Sequence, residues 1–285
     1  MILVTGSSGQ LGHDVIKELE KRNIECIGTV RNDFDLTDYE QVEKYIIRMK
    51  PECIIHCAAY TAVDKAEDES EICYKVNTLG TENIARVCKK IDAKMIYIST
   101  DYVFDGSGID PHEVDEKANP LSVYGKSKYQ GELKVKENLE KYFIVRTSWV
   151  FGSSGSNFVK TMLKLGRGRK SIDVVCDQIG SPTYTVDLAK LLCDMAASDK
   201  YGVYHGTNEG FCSWAEFAEE IMKIASLDCK INYIQSNQYK AKAIRPLNSR
   251  LSKIKCLENG FKTLPHWKES LKRFERELKI VCELS

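Results

Sequence analysis

Short apolar runs alternate with amphipathic segments along the N-terminal half of the chain. The apolar runs predict strands at residues 1–5, 25–30, 53–59, 94–98 and 142–152. Leu11, Val15 and Leu19 recur at helical spacing after the first run. Such segments predict helices at residues 11–19, 38–50 and 71–90, and another that opens at 120–122. Because parallel strands need crossover connections, this alternation predicts an α/β fold with a Rossmann-type, doubly wound parallel sheet.

The regular alternation of apolar runs and amphipathic segments ends after Gly152. Helices are predicted at 158–165, 186–197 and 267–278, strands at 172–175 and 203–205, and a turn-rich loop at 177–183. Ser213 and Glu216 have the spacing of a capping box. We therefore expect a dinucleotide-binding domain at residues 1–152, to which about residues 180–205 return. A smaller C-terminal α/β substrate-binding region is expected at residues 153–179 and 206–285.

Two polar residues interrupt otherwise apolar segments. Asn77 lies among apolar residues of a predicted helix, and a buried asparagine needs hydrogen-bond partners. His56 lies in a predicted buried strand, where a packed core residue is the better interpretation than a ligand.

Composition narrows the class of protein. The chain has 285 residues with 41 Lys plus Arg and 41 Asp plus Glu, so no bulk charge favours nucleic acid or an anionic membrane. No apolar run reaches the roughly 18 residues of a membrane span, and we expect no signal peptide. The 11 cysteines are odd in number and lack a Cys-x-x-Cys pair, which favours reduced thiols in a cytoplasmic protein.

A glycine turn follows the first strand. Gly6, Gly9 and Gly12 are spaced G-x-x-G-x-x-G between a predicted strand and a predicted helix. This is the context of a dinucleotide-binding turn, in which the pyrophosphate lies on free N–H groups at the helix N-terminus. The alternative is an ordinary glycine turn with no ligand.

Arg31 follows the second predicted strand, at the position that meets the adenosine ribose in this fold. An arginine there accommodates a 2′-phosphate, which favours NADPH. Asp33 and Asp35 lie close by and leave NADH open as a second cofactor. The alternative is that Arg31 is a solvated loop charge.

Small and hydroxylated residues end the next strands of the predicted sheet. Ala58 and Ala59 leave room for a ligand, while Ser99 and Thr100 offer hydroxyls that can bind a substrate carbonyl. Ligands of open α/β sheets bind beyond these carboxyl ends of the strands. Capping of a helix or turn is the alternative role for the two hydroxyls.

Tyr124 and Lys128 are four residues apart on a predicted helix and so share a face. A nearby ammonium favours the phenolate, so we expect Lys128 to lower the pKa of Tyr124 and assist proton transfer to a carbonyl oxygen. Alone, the pair is equally consistent with a solvated helix face.

Together these motifs resemble the extended short-chain dehydrogenases/reductases, and within them the dTDP-4-dehydrorhamnose reductase family. The resemblance extends over nearly the whole chain. Its most specific stretches are residues 58–67 (AAYTAVDKAE) and 177–183 (DQIGSPT), together with 99–106, 146–149 and 245–251. Related dehydratases carry Thr-Asp-Glu where this chain has Thr100, Asp101 and Tyr102, so the missing second acid disfavours dehydration.

The resemblance implies reduction by NADPH, or also NADH, of the C4 ketone of a dTDP-4-dehydro-6-deoxyhexose. It implies the catalytic residues Tyr124 as proton donor, Lys128 and Thr100. The implied cofactor-binding residues are Gly6, Gly9, Gln10, Leu11, Gly12, Arg31, Asp35, Leu36, Ala58, Ala59, Tyr60, Ser99, Tyr124 and Lys128. The implied substrate-binding residues are Thr61, Val63, Thr100, Asp101 and Trp149.

The expected partner is a small nucleotide-sugar substrate, held in part by the C-terminal region, and the expected state is a monomer or homodimer. Some relatives dimerise around magnesium, for which Asp14 and Asp187 are the residues to inspect, but no metal is predicted. Two alternatives remain open. One is a non-catalytic dinucleotide-binding subunit similar to the regulatory subunit of methionine adenosyltransferase. The other is a reductase or epimerase of another nucleotide sugar.

Overall fold

A central parallel sheet organises the computed structural model, which describes residues 1–284, and side chains through residue 278. The strands along this part of the chain are β1 (Ile2–Thr5), β2 (Cys26–Thr29), β3 (Cys53–His56), β4 (Lys94–Thr100), β5 (Tyr142–Thr147), β6 (Val150–Phe151), β7 (Ser171–Val175), β8 (Ile179–Gly180), β9 (Thr183–Tyr184), β10 (Gly202–His205), β11 (Asn208–Glu209), β12 (Cys212–Ser213), β13 (Lys230–Ile234), β14 (Asn248–Ser249) and β15 (Leu264–His266).

The helices alternate with these strands and cover the sheet. They are α1 (Gln10–Lys21), α2 (Tyr39–Met49), α3 (Val63–Ala66), α4 (Ser70–Tyr74), α5 (Thr81–Ile91), α6 (Val123–Asn138), α7 (Phe158–Gly168), α8 (Thr185–Ala196), α9 (Trp214–Ile224), α10 (Ile254–Glu258) and α11 (Trp267–Leu284). A π-helical segment, Lys75–Gly80, joins α4 to α5, and 3₁₀ turns occur at Asp101–Val103 and Ser236–Gln238.

The sheet has six strands in the order β10-β5-β4-β3-β1-β2, and every neighbouring pair is parallel. The chain moves outward from β1 in both directions, as a doubly wound sheet requires. The predicted α/β fold class with a Rossmann-type sheet is confirmed. The carboxyl ends of β1, β3 and β4 therefore meet at one edge of the sheet.

Alternate residues of the strands fill two cores, one on each face. Ile2 and Val4 pack with α1 and α8 on one face, while Leu3 packs with α2 and α5 on the other. Strands buried on both faces read as continuous apolar runs, which explains why the sequence marks them clearly.

A third core lies outside the sheet. It contains Val159 of α7, Ile172 of β7, Phe217 of α9 and Phe274 of α11, and β7 pairs in parallel with β13. The sequence patterns did not predict β13. Its residues are mostly half-buried or exposed, so the strand lacks the apolar run that marks the central strands.

Two predicted elements differ in detail. The helix predicted at 71–90 forms, but the π-helical segment Lys75–Gly80 interrupts it. The strand predicted at 142–152 is broken between β5 and β6, because Trp149 adopts a left-handed backbone with φ of 50°. A large side chain rarely adopts this conformation, and such residues cluster at functional sites.

Candidate active site

The glycine turn leaves no space for side chains. Gly6 has φ of 66°, and a Cβ built on it would lie 2.8 Å from Ala58 Cα, so the turn packs directly on the end of β3. Gly9 precedes α1 and offers no side-chain cap. The N-terminal amides of α1, at Gln10, Leu11 and Gly12, therefore have no side chain of the N-cap residue to bind them. This backbone fits a dinucleotide pyrophosphate.

Arg31 lies two residues beyond the end of β2 and is exposed to solvent. Asp33 is held nearby, because its carboxylate accepts the Val30 N–H at 2.7 Å. Asp35 accepts a hydrogen bond from the Thr37 N–H at 2.9 Å, and Leu36 accepts one from Asn83 through its carbonyl. The loop after β2 is thus ordered by its own carboxylates while Arg31 faces solvent.

The end of β3 is held by the π-helical segment. Asn77 Oδ1 accepts the Tyr60 N–H at 2.8 Å, and Asn77 Nδ2 donates to the Tyr60 carbonyl at 3.0 Å and to Ser127 Oγ at 3.0 Å. The expectation that Asn77 is buried and hydrogen-bonded is confirmed. A π-bulge is rare and often marks a functional site. Here its asparagine connects the edge after β3, including Ala58, Ala59 and Tyr60, to helix α6.

His56 is a buried strand residue, as the sequence indicated. Its Nδ1 lies 2.7 Å from Thr5 Oγ1, and its Nε2 lies 3.3 Å from Thr81 Oγ1. Thr81 gives its own proton to the Asn77 carbonyl, so it accepts the proton of His56 Nε2. Burial, followed by the Lys128 charge, lowers the pKa of His56 to about 3, and the ring is neutral.

Ser99 and Thr100 are adjacent at the carboxyl end of β4, but their hydroxyls have different partners. Ser99 Oγ donates to Glu132 at 2.6 Å, so its hydroxyl is bound within the protein. Thr100 Oγ1 donates to Asp101 at 3.0 Å, and its hydroxyl opposes the rise in the pKa of Tyr124. The two hydroxyls are therefore not equivalent. Thr100 lies beside Tyr124, and Ser99 is part of a separate buried network.

Asp101 is buried, and burial raises its pKa to about 6. One carboxylate oxygen, Oδ1, accepts the Thr100 proton, and the other, Oδ2, makes no hydrogen bond within the described residues. The Ser249 and Thr100 hydroxyls oppose the effect of burial on the pKa of Asp101.

Tyr124 begins the first turn of α6. Ser122 caps this helix by accepting the Gly125 N–H at 3.1 Å, and the Tyr102 and Tyr124 rings meet edge to face at 5.5 Å. Burial raises the pKa of Tyr124 above its ordinary value, while the hydrogen bond with Thr100 opposes the shift. The expected lowering by Lys128 is thus not found in the free protein, where burial dominates. The phenol remains protonated at neutral pH.

Lys128 is fully enclosed, one turn after Tyr124. Burial lowers the pKa of its ammonium to about 7, and the Glu132 charge opposes this shift. Its Nζ lies 4.0 Å from the centroid of the Tyr97 ring. A lysine so strongly perturbed and placed beside a buried tyrosine has the properties of a functional group.

A buried ion pair lies one further turn along α6, and the sequence analysis assigned it no role. Arg146 on β5 donates to Glu132 through Nε at 2.9 Å and Nη2 at 2.8 Å. The side chains are 3% and 0% exposed. The residues are 14 positions apart, so sequence spacing gave no indication that they meet.

The predicted substrate-binding residues occupy different surroundings. Thr61 is exposed after β3, and Val63 is the first residue of α3. Trp149 stacks on Trp214 at 3.7 Å between ring centroids, and Gly180 packs against its indole. The strained backbone of Trp149 and this stack fix the indole at the start of the third core.

The two acids considered for magnesium are bound within the protein. Asp14 is buried and accepts the Thr185 hydroxyl, and burial raises its pKa. Asp187 accepts from Asn208, Ser270 and Arg273, and despite burial these donors lower its pKa. Among the side chains of residues 1–278, no group of three His, Cys, Asp or Glu is placed to hold a metal ion. The same residues include no helix long and apolar enough to cross a membrane.

These features bring a glycine turn, a strand-end threonine and a tyrosine–lysine pair with a buried lysine to the carboxyl edge of a doubly wound sheet. They define an NAD(P)H-dependent oxidoreductase of the extended short-chain dehydrogenase/reductase class. The chain belongs to the dTDP-4-dehydrorhamnose reductase family, since the model of the RmlD substrate binding domain matches residues 1–280.

Individual relatives agree with this assignment. The dTDP-4-dehydrorhamnose reductase of Aggregatibacter actinomycetemcomitans is 38% identical over 285 residues, covering 95% of this chain and 97% of that protein. The spore coat polysaccharide biosynthesis protein SpsK of Bacillus subtilis strain 168 is 38% identical over 282 residues and 99% of each chain. The crystal structure of Bacillus anthracis dTDP-4-dehydrorhamnose reductase in complex with NADP has a TM-score of 0.95 and 42% identity, covering 97% of this chain and 98% of that one. The predicted family is confirmed.

Proposed function

We propose that this protein reduces the C4 ketone of dTDP-4-dehydro-L-rhamnose to dTDP-L-rhamnose, with NADPH as the hydride donor. One observation carries the proposal: Tyr124 is a protonated, half-buried phenol whose pKa responds to the Thr100 hydroxyl at the end of β4. A reductase needs a proton donor at the position where the ketone oxygen becomes an alkoxide. The family relationship supports the substrate and the cofactor.

Different residues have separate proposed roles in cofactor binding, proton transfer and sugar binding. The turn formed by Gly6 and Gly9 and the N-terminus of α1 bind the pyrophosphate. Thr100 orients the ketone oxygen, and Tyr124 gives its proton to that oxygen as NADPH supplies the hydride to the carbon. The Lys128 charge stabilises the phenolate that remains and orients the nicotinamide ribose. Trp149, Thr61 and Val63 line the sugar side of the site.

Asp101 has a supporting role in this scheme. While its carboxylate is ionised, it accepts the Thr100 proton and so orients the Thr100 hydroxyl. Its pKa of about 6 means that it is ionised above that pH and loses this hold below it. We propose that Asp101 also contacts the sugar through Oδ2.

Consumption of NADPH against a panel of 4-keto nucleotide sugars tests the function. We expect turnover with dTDP-4-dehydro-L-rhamnose, identified by a dTDP-L-rhamnose product. Higher kcat/KM with another sugar or base would overturn the substrate and leave the reductase. Tight dinucleotide binding without turnover of any member would overturn the enzyme and indicate a regulatory subunit.

Arg31 is the proposed reader of the NADPH 2′-phosphate. A charge-assisted hydrogen bond contributes about 1.5–3 kcal/mol, or roughly a 10- to 150-fold preference, and the nearby Asp33 and Asp35 reduce it toward a few-fold. Arg31→Ala should therefore raise the KM for NADPH more than that for NADH. Lys44→Ala, which removes an exposed cation from α2, is the matched control. If the ratio of the KM for NADPH to the KM for NADH were the same in wild type and Arg31→Ala, Arg31 would not contact the phosphate.

We also propose that the protein acts in the cytoplasm as a monomer or homodimer. The ten cysteines whose side chains are described are free thiols, which suits a reducing compartment. Sedimentation at several protein concentrations distinguishes the two assemblies, and a larger species would contradict both.

A further inference from the structure

The Lys128 ammonium lies against the face of one strand residue, Tyr97. The distance from Nζ to the ring centroid is 4.0 Å, and the two residues are 2% and 0% exposed. A cation within about 6 Å of an aromatic centroid is attracted by the negative face of the ring, most strongly where water is excluded. The ring therefore replaces part of the hydration that Lys128 loses on burial.

Helix α6 is shaped to rest on this ring. A Cβ built on Gly131 would lie 2.4 Å from Tyr97 Oη, so any other residue at 131 would push the helix away from β4. Tyr97 Oη also donates to the Lys128 carbonyl at 3.1 Å. Because Gly131 follows Lys128 by three positions, both share one helix face. The close approach at Gly131 thus brings the Lys128 side chain over the ring.

The other groups around Lys128 do not supply a free counter-ion. Glu132 on the same helix is bound by Arg146 and Ser99, and His56 is neutral. The titratable and charged groups that act on Lys128 are His56 and Cys57 at the end of β3, Cys73 on α4, Tyr97 on β4 and Glu132 on α6. The aromatic face is the group in direct contact with the ammonium.

We propose that Tyr97 is a positioning residue for the reduction: its ring binds the Lys128 ammonium and fixes its position, one helical turn after Tyr124 on α6. The inference rests on the proposed function for its catalytic meaning. The contact itself is a property of the free protein and can be measured without substrate or cofactor.

The test is an NMR titration of protein carrying lysine labelled with ¹³C at Cε, in which loss of a signal in Lys128→Met assigns Lys128. Tyr97→Phe keeps the ring face and removes the hydroxyl, whereas Tyr97→Leu removes the ring. We expect Tyr97→Leu to lower the pKa of Lys128 by about one unit and Tyr97→Phe to change it much less. Equal shifts in both variants, or none in Tyr97→Leu, would overturn the proposal.

Ring-fluorinated phenylalanines at position 97 provide a second test if Tyr97→Leu fails to fold. Fluorination weakens the negative face of the ring at nearly constant shape, so the pKa of Lys128 should fall stepwise with each fluorine added to Tyr97→Phe. An unchanged pKa through the series would rule out the cation–π contact. Where turnover is measurable, the pH dependence of kcat should shift to lower pH in parallel, with little change in the sugar KM. A normal titration series without turnover would overturn the proposed function and leave the contact established.

Discussion

Helix α6 carries one buried cation, Lys128, and binds another, Arg146, and the two cations differ in whether a carboxylate pairs with them. Lys128 and Arg146 are both 2% exposed. Arg146 binds the Glu132 carboxylate through two hydrogen bonds, whereas the Lys128 ammonium lies on an aromatic ring and its pKa falls to about 7. A buried charge with a bidentate partner belongs to the framework of a fold, and one that is desolvated without such a partner has its chemistry altered. Helix α6 thus has a lysine with a perturbed pKa on one turn and a structural ion pair on the next.

Removal of the proposed proton donor, Tyr124, should have the largest effect on activity and little effect on the Glu132–Arg146 ion pair. Tyr124→Phe keeps the ring and deletes the hydroxyl, so kcat should fall on the order of 10²–10⁴ while NADPH affinity and folding change little. Tyr129→Phe, on the same helix, is the control and should retain activity. Steady-state kinetics and fluorescence titration of NADPH give both quantities. Retention of most of the wild-type kcat in Tyr124→Phe would refute the catalytic assignment.

Breaking the ion pair should act on stability. Arg146→Met leaves Glu132 buried without its cation and should lower the free energy of unfolding by about 3–5 kcal/mol. Arg22→Met removes a partly exposed pair with Asp194 and should cost no more than about 1 kcal/mol. Urea unfolding measures each loss. The double variant Glu132→Met/Arg146→Met should recover much of the stability, and failure to recover would contradict the view that the unpaired acid causes the loss.

The third prediction concerns the pH dependence of stability. The folded pKa of Lys128 is about 7, below the ordinary value of 10.5 for an unfolded lysine. Between these values the unfolded chain binds more protons, so stability rises with pH by up to about 1.4 kcal/mol per unit. The cost of burying the charge is present in full below pH 7. From pH 7 to 9, wild type should therefore gain about 2 kcal/mol relative to Lys128→Met.

Lys126→Met provides the control for this measurement, because Lys126 is exposed on the same helix. It should show the same pH dependence as wild type in urea unfolding of the cofactor-free protein. If the free energy of unfolding changed with pH in the same way for wild type and Lys128→Met, Lys128 would have an ordinary pKa. The electrostatic difference between Lys128 and Arg146 would then be absent. Lys128→Met should also lose activity and bind NADPH more weakly.

The sequence predicted those parts of the fold that depend on local pattern. The strands of the central sheet, the glycine turn and the capping box of Ser213 and Glu216 all form, because apolar runs and capping spacings are local properties. The need of Asn77 for partners was also predictable from its apolar neighbours. Its place in a π-helical segment was not, since that geometry follows from contacts with Tyr60 and Ser127 far away in the chain.

The sequence indicated which residues belong to the candidate site, but it did not indicate their pKa shifts or hydrogen-bond partners. Proximity of Lys128 suggested a lowered pKa for Tyr124, but the sequence contains no measure of burial, which raises it instead. Ser99 and Thr100 appeared equivalent as hydroxyls. Their hydrogen-bond partners separate them, because Ser99 donates to Glu132, whose ion pair with Arg146 joins a helix to a strand.

The sixth strand of the sheet has a consequence for how the protein is made. β10 pairs with β5, yet it follows β5 in the chain only after β6–β9, α7 and α8. A ribosome adds roughly 5–20 residues per second, so for several seconds a nascent chain displays β5 as an unpaired edge. Unpaired edges recruit other strands and promote aggregation. Residues 1–152 therefore cannot complete the central sheet by themselves. During synthesis the sheet is completed only by β10, which follows the α7 and β7 segments of the third core.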